Sequence, residues 1–288
     1  MSKIKSTPEI ATEIIKLYNL KFNTHQIAHQ FNCSPTFIVN VLKKYNIPRR
    51  LSSTYKSKYI INDNFFDTID TEEKAYILGF LYADGNNYVN NNCYEVSINL
   101  VEEDKSILEE ILRLLSPDNK LKKISFKNKN WKNQYRLCIK NKKISDQLTK
   151  LGCVPNKSLT LTFPEWLTNK ELQRHFIRGY FDGDGSIYSK KPKITGQIDY
   201  GWQITSTYNF CSSIKDILEN NLNIHCCLKK ISKCSKNQIT TTVSVGGNHQ
   251  IKILMDWIYN NSIIYLPRKH NKYLEFINYL IKKQAITN

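Results

Sequence analysis

One segment of the chain is written twice. Residues 75–85 read Ala75-Tyr76-Ile77-Leu78-Gly79-Phe80-Leu81-Tyr82-Ala83-Asp84-Gly85, and residues 175–185 read His175-Phe176-Ile177-Arg178-Gly179-Tyr180-Phe181-Asp182-Gly183-Asp184-Gly185. The copies are offset by 100 residues with no gap inside the segment. Similar patterns follow both. After the first come strand-like alternation at 94–100, an amphipathic helix at 102–115, short strands near 120–126 and 134–139, and a helix near 143–151. After the second come a strand at 200–205, a helix at 210–222, strands at 226–232 and 238–245, and a helix at 250–259. Repetition at this period implies two similar units stacked on one another. The predicted class is α+β, with two pseudo-symmetric αββαββα halves at residues 71–168 and 169–288.

The repeated segment has a physical logic. Gly79 and Ala83 lie four apart on one helix, and Gly179 and Gly183 lie four apart on the other. Small residues at this spacing let two helix backbones approach closely. Glycine inside a helix costs about 1 kcal/mol relative to alanine, so packing must supply the reason for it. Gly85 and Gly185 are expected to end each helix in the left-handed conformation. Asp84 and Asp184 then stand side by side at two adjoining helix C-termini, where the helix dipole and a like charge both oppose ionisation. Such a pair calls for protons or divalent cations. Oxygen ligands favour Mg²⁺ or Mn²⁺, which retain water and bind phosphate oxygens. The predicted metal ligands are Asp84 and Asp184, and the predicted chemistry is metal-dependent phosphodiester hydrolysis.

These two segments resemble the paired LAGLIDADG motifs of single-chain homing endonucleases, over a body running from about residue 71 to 288. The resemblance implies a saddle of antiparallel sheets set against the DNA major groove and a site-specific double-strand endonuclease with one metal-binding Asp from each motif helix. It also implies a polar and basic pocket around the acids. Gln203 matches the family's pocket Gln, and Lys269, in the stretch 265–273, matches its pocket Lys. In the first half the corresponding positions are Ser97 and Lys157. The family's earlier motif acid is present as Asp182 but is Tyr82 in the first copy. Two other functions fit the same resemblance: an RNA maturase that assists intron splicing, and a DNA-binding regulator derived from the endonuclease fold. Intact Asp84 and Asp184 argue against the regulator.

Residues 1–50 look self-contained. A helix over 9–19 is followed by a short helix over 25–31, with Thr24 as expected N-cap. After a tight turn, Ser34 caps a third helix with Pro35 at its first position, running to about Tyr45. This order is the helix-turn-helix pattern, for which DNA contact by Lys43, Lys44, Arg49 and Arg50 is expected. His25, His29 and Cys33 share helical spacing, but read more simply as a helix surface beside a buried thiol. Residues 51–70 read as a basic linker.

Charge enters here. The 42 Lys and Arg, 35 of them Lys, against 25 Asp and Glu leave a net charge of +17. An excess of this size favours a polyanionic partner, although abundant Lys, Asn and Ile also mark AT-rich coding. It gains meaning because cations recur in matching strand pairs, where they can meet bases and phosphates: Lys122, Lys127, Lys129 and Arg136 in the first half, and Lys229, Lys233 and Lys236 in the second. The expected partner is double-stranded DNA, with intron RNA as the maturase alternative, and a monomer is expected. No apolar run suits a membrane span and no secretory signal is visible. The eight cysteines include no Cys-x-x-Cys pair and suit an intracellular, reducing compartment.

Overall fold

The computed structural model describes residues 7–20, 22–48, 59–90, 93–127, 131–191, 197–233 and 238–287. They fall into two units, Met1–Lys58 and Tyr59–Asn288. The first contains α1 (Pro8–Asn19), α2 (Thr24–Gln30) and α3 (Pro35–Lys44). Each helix has a side-chain cap, from Thr7, Asn23 and Ser34. Asn23, not Thr24, caps α2. Its amide oxygen accepts from Gln26 N at 2.8 Å while the Gln26 side chain accepts from Asn23 N at 2.8 Å, and this reciprocal pair selects the earlier residue. Ile14, Tyr18, Ile27, Ile38 and Leu42 close a small separate core. His25 and His29 are exposed, and among the described residues no group of three or more His, Cys, Asp or Glu could hold a metal.

The second unit begins earlier than the sequence suggests. Residues 59–70, expected as the end of a linker, pack on the first half. Phe65 and Phe66 are buried, Ile60 N donates to the Asp118 carboxylate at 2.8 Å, and the Ser116 hydroxyl donates to Ile60 O at 2.7 Å. The first half then runs α4 (Glu72–Ala83), β1 (Gly85–Asn90), β2 (Cys93–Val101), α5 (Lys105–Leu115), β3 (Lys122–Ile124), β4 (Gln134–Ile139) and α6 (Lys142–Lys150). The second runs α7 (Lys170–Asp184), β5 (Ser186–Lys190), β6 (Asp199–Ser206), α8 (Tyr208–Leu222), β7 (Cys227–Lys233), β8 (Gln238–Gly246) and α9 (Asn248–Tyr259), with α10 (Pro267–Thr287) added. The sheets have matching antiparallel orders, β1-β2-β4-β3 and β5-β6-β8-β7. Their registers also match: Asn86 pairs with Ser97 and Ser97 with Cys138, while Ser186 pairs with Gln203 and Gln203 with Ser244. On each sheet one face is apolar, with Val96, Ile98, Leu137 and Ile139 in the first and Trp202, Ile204, Val243 and Val245 in the second. Strand alternation sends the residues between them to the opposite face.

The two motif helices, α4 and α7, join the halves. A Cβ on Gly79 would lie 2.0 Å from the Phe176 carbonyl oxygen, and one on Gly179 would lie 2.0 Å from the Tyr76 carbonyl oxygen. One turn on, a Cβ on Gly183 would meet the Ala83 methyl at 2.4 Å. The small-residue stripe is therefore a backbone-to-backbone crossing. Gly85 and Gly185 do not take the expected left-handed conformation. Gly185 is extended (φ −80°, ψ 168°), and Gly85 is already the first residue of β1. Each helix turns straight into a strand, and the glycine is needed because a Cβ would strike the carbonyl oxygen of Leu81 or Phe181 at 2.5 and 2.7 Å.

A buried polar network also crosses the interface. Arg178, fully buried, donates to Ile258 O (2.9 Å), Ile264 O (3.1 Å) and Glu72 Oε1 (2.6 Å), and bonds His175 Nδ1 (2.9 Å). Glu72 in turn accepts from Ile263 N at 2.7 Å. His175 Nδ1 faces a guanidinium that can only donate, so the ring is held neutral. Burial, with Arg178 and Arg174 behind it, lowers its pKa to about 3 against a weaker opposing pull from Glu73, while the Glu72 carboxylate, 3.8 Å from the other ring nitrogen, is taken up by Arg178 at 2.6 Å. Below about pH 6.5 the unfolded chain takes up this proton while the folded one refuses it until about pH 3. Stability is therefore full above pH 6.5 and falls with falling pH. His175→Gln, which keeps an acceptor for Arg178 but does not titrate, should lose less stability than wild type between about pH 6.5 and 4.5. Urea unfolding at stepped pH measures this; identical slopes for the two proteins would refute it.

Candidate active site

Asp84 caps α4 and Asp184 ends α7, so the crossing brings both carboxyls to the same end of the helix pair. The Asp84 carboxylate lies against Gly183: a Cβ there would be 3.3 Å from Asp84 Oδ2. Burial pushes the Asp84 carboxyl up to about 6, the nearby Asp184 adds to the rise, and Lys269 and Lys157 oppose it. Burial likewise raises Asp184 above the usual carboxylate range, against the same two lysines.

Both lysines are themselves buried, 8% exposed for Lys157 and 4% for Lys269, which is rare for this residue and requires partners. They are related by the pseudo-two-fold. The Lys157 ammonium donates to the Gly85 carbonyl, and that of Lys269 donates to the carbonyls of Gly185 (2.6 Å), Gly183 (3.4 Å) and Phe181. Each lysine thus bonds the backbone immediately after its own half's acid. Burial lowers the Lys269 pKa to about 8. The region that sequence reading treated as a pocket motif is the entrance to α10: Lys269 sits in its first turn, and its neighbour Arg268 pairs with the buried Asp104 carboxylate of the other half at 3.0 Å.

Gln203 lies mid-strand on the outward face of β6, between Ser186 and Ser244. Ser97 holds the matching register in the first half. There the structure adds a residue that the sequence assigned elsewhere. Arg136, expected among the DNA-reading cations, bonds the Glu95 carboxylate and lies 3.3 Å from Ser97 Oγ. Its counterpart across the pseudo-two-fold is Thr242, which shares a hydrogen bond with Thr205 at 2.8 Å.

The remaining cations are spread over the outward faces and their edges. Lys122 is exposed on β3 opposite Arg136, Lys127 is exposed just beyond that strand, and Lys229 is exposed on β7 opposite Thr242. Lys233 lies on β7 with its side chain outside the described residues, as are Lys129 and Lys236 entirely. Lys230 points the other way, over the Tyr208 ring at 5.6 Å on the helix side. In the first unit Lys43 and Lys44 are exposed on the last turn of α3, and Arg49 and Arg50 lie outside the described residues. Sequence reading missed Glu72 and Arg178. The usable signal was Arg178 standing where the other copy has Leu78, since a charge in an apolar helix position implies a buried partner.

Residues 171–258, which span α7 to α9, match the family model described as the LAGLIDADG-like domain. The second half is a LAGLIDADG-like domain. The two-half body as a whole has the meganuclease fold. A structure of meganuclease I-SmaMI bound to uncleavable DNA is 15% identical, with 73% of this chain and 91% of that one covered at a TM-score of 0.53. I-SmaMI bound to its uncleaved DNA target with calcium ions is 16% identical, covering 73% and 92% at 0.50. No curated protein sequence matches the chain. The likeness of fold covers about three quarters of the chain, and no helix among the described residues is long and apolar enough to cross a membrane.

The donor set of this site fits a hard divalent cation. Two carboxyls meet at the crossing, Asp84 part-buried and Asp184 more open, each lysine beside them is engaged with backbone carbonyls, and among the described residues no group of three or more His, Cys, Asp or Glu that could hold a metal forms there. Two acids alone leave most of a coordination sphere to water and phosphate oxygens, which suits Mg²⁺ or Mn²⁺ better than Ca²⁺.

Proposed function

We propose that the protein is a site-specific, metal-dependent DNA endonuclease, with Asp84 and Asp184 as the metal ligands. The observation that carries this reading is the pair of carboxyls brought together at the helix crossing, flanked by two symmetry-related buried lysines and bordered by two polar sheet faces. A bound divalent ion would supply Lewis-acid charge for the phosphodiester and lower the pKa of attacking water. The chain's own groups do the rest. Asp84 and Asp184 hold cation and phosphate together, one from each half, matching two scissile strands with two acids. Lys157 and Lys269 place positive charge beside the developing negative charge. Gln203 in one half, and Ser97 with Arg136 in the other, orient water or phosphate from the adjoining strand.

DNA would lie along the outward sheet faces, where Lys122, Lys127 and Lys229 meet phosphates and the Thr, Gln and Asn side chains meet base edges. Lys43 and Lys44 of α3 would add phosphate contacts of their own. Affinity should then fall steeply with salt, by about 10³-fold between roughly 50 and 200 mM if six or more phosphates are met. Replacing both Lys43 and Lys44 by Ala should flatten the logarithmic slope by about two. Filter binding at stepped salt checks this, and an affinity indifferent to salt would contradict it. Function itself is tested by Mg²⁺-dependent cleavage of a randomised DNA library. Cutting at a defined site supports the reading. Tight binding of DNA or of a structured intron RNA without cutting would replace it with a binding function.

A further inference from the structure

Positions 82 and 182 stand two residues before the paired acids, and they differ: Tyr82 in one half, Asp182 in the other. Both are buried, at 2% and 1% exposure. Neither side chain reaches the acids. Asp182 accepts from Tyr76 OH at 2.8 Å, Tyr259 OH at 2.5 Å and the Leu266 backbone N–H at 2.7 Å. Leu266 immediately precedes α10, and its carbonyl accepts from Lys269 N at 3.0 Å and His270 N at 3.1 Å. The Asp182 carboxylate therefore grips the residue on which the first turn of α10 is built, and that turn presents Lys269.

Tyr82 makes the complementary bond. Its hydroxyl donates to Leu151 O at 2.5 Å. It fits against Gly152, whose φ is +100° and where a Cβ would lie 2.1 Å from the hydroxyl oxygen. Cys153 then bonds Leu81 O at 3.6 Å, and the segment runs on to Lys157. In both halves, then, the motif helix holds by one side chain the backbone segment that returns a lysine to the glycine carbonyl after the acid. One half uses an acceptor for an N–H and the other a donor for a C=O.

We infer that Tyr82 and Asp182 are positioning residues, each setting the placement of its own half's lysine. The inference rests on the reading of Lys157 and Lys269 as parts of the site. It accounts for the unlike residues at equivalent positions: an aspartate at 82 would face a carbonyl, and a tyrosine at 182 would crowd the N–H it should accept from.

The test pairs Asp182→Asn and Tyr82→Phe, which keep side-chain size, with a measurement on the metal-free, DNA-free protein. Amide hydrogen exchange at Lys269 and His270 should accelerate about tenfold in Asp182→Asn with residues 151–157 unchanged, and Tyr82→Phe should give the reverse pattern. In cleavage assays with Mg²⁺, Asp182→Asn should lower kcat about tenfold with KM held. Added to Lys269→Ala, it should change kcat less than about twofold, while keeping its full effect on Lys157→Ala. Unchanged local exchange, or losses that simply multiply in both backgrounds, would overturn the inference. If Lys269→Ala leaves cleavage intact, the reading of that lysine fails instead. The exchange pattern then still decides whether the clamp exists.

Discussion

Asp184→Asn should abolish DNA cleavage, by about 10³-fold or more, and leave DNA binding near wild type. Asp84→Asn should do the same, because the acids come from different helices, one from each half. A loss of 10³ corresponds to about 4 kcal/mol, within the several kcal/mol that a bound cation contributes to a charged transition state. Cleavage and gel-shift assays on one substrate separate the two effects, and a variant that binds and still cuts would end the assignment. A second consequence concerns folding. The unfolded chain releases the Asp84 proton near pH 4, whereas the folded site keeps it to about pH 6. Between those values folding takes up a proton, so stability without metal declines as pH rises through that window and stays lower above it. Asp84→Asn removes the penalty. At pH 7 to 8 the metal-free variant should be more stable than wild type, by on the order of 2 kcal/mol once partial solvation is allowed for, with the difference vanishing near pH 4. An inactive variant that unfolds later than wild type is the signature of an acid retained for function.

Gly79→Val is expected to have the largest effect on folding. The added Cβ would lie 2.0 Å from the Phe176 carbonyl oxygen and 3.0 Å from Tyr180 N, both backbone atoms with no rotamer to yield. Relief requires the helices to separate, which loosens the core shared by both halves. A cost of about 3 kcal/mol or more follows from overpacking at a rigid contact. Gly179→Val should behave alike. Thermal unfolding and soluble expression measure this, and a variant that melts within about 2 °C of wild type would show the crossing to be softer than its geometry implies.

The sequence carried the repeat, both acids, the small-residue crossing and most helices, because each rests on local pattern or on self-comparison. The αββαββα pattern implied β1 and β5 without placing them: the Asn-rich stretch after Gly85 lacks alternation, and these strands exist because each motif helix ends against a ready partner strand. The sequence did not reveal the first turns of α10 around Lys269, whose start is set by long-range bonds from Asp182 and Asp104. Residues 59–70 passed for a linker because only packing distinguishes Phe65 and Phe66 from exposed aromatics. Arg136 could be assigned to the right face but not to its partner, since Glu95 meets it only through strand pairing.

The polar network around Arg178 makes the two halves chemically unlike where they touch. Arg178 needs Glu72, and Asp182 needs Tyr76, each from the opposite motif helix. Were the second half to pair with a copy of itself, Leu172 and Phe176 would occupy those places, costing each Arg178 its ion pair and each Asp182 one of its three hydrogen bonds. A self-pair of the first half would set Glu72 against Leu78. The halves have diverged into lock and key and no longer serve as interchangeable copies. Their left-right order is written into the interface itself, which, on the proposed endonuclease reading, suits targets whose two sides read differently.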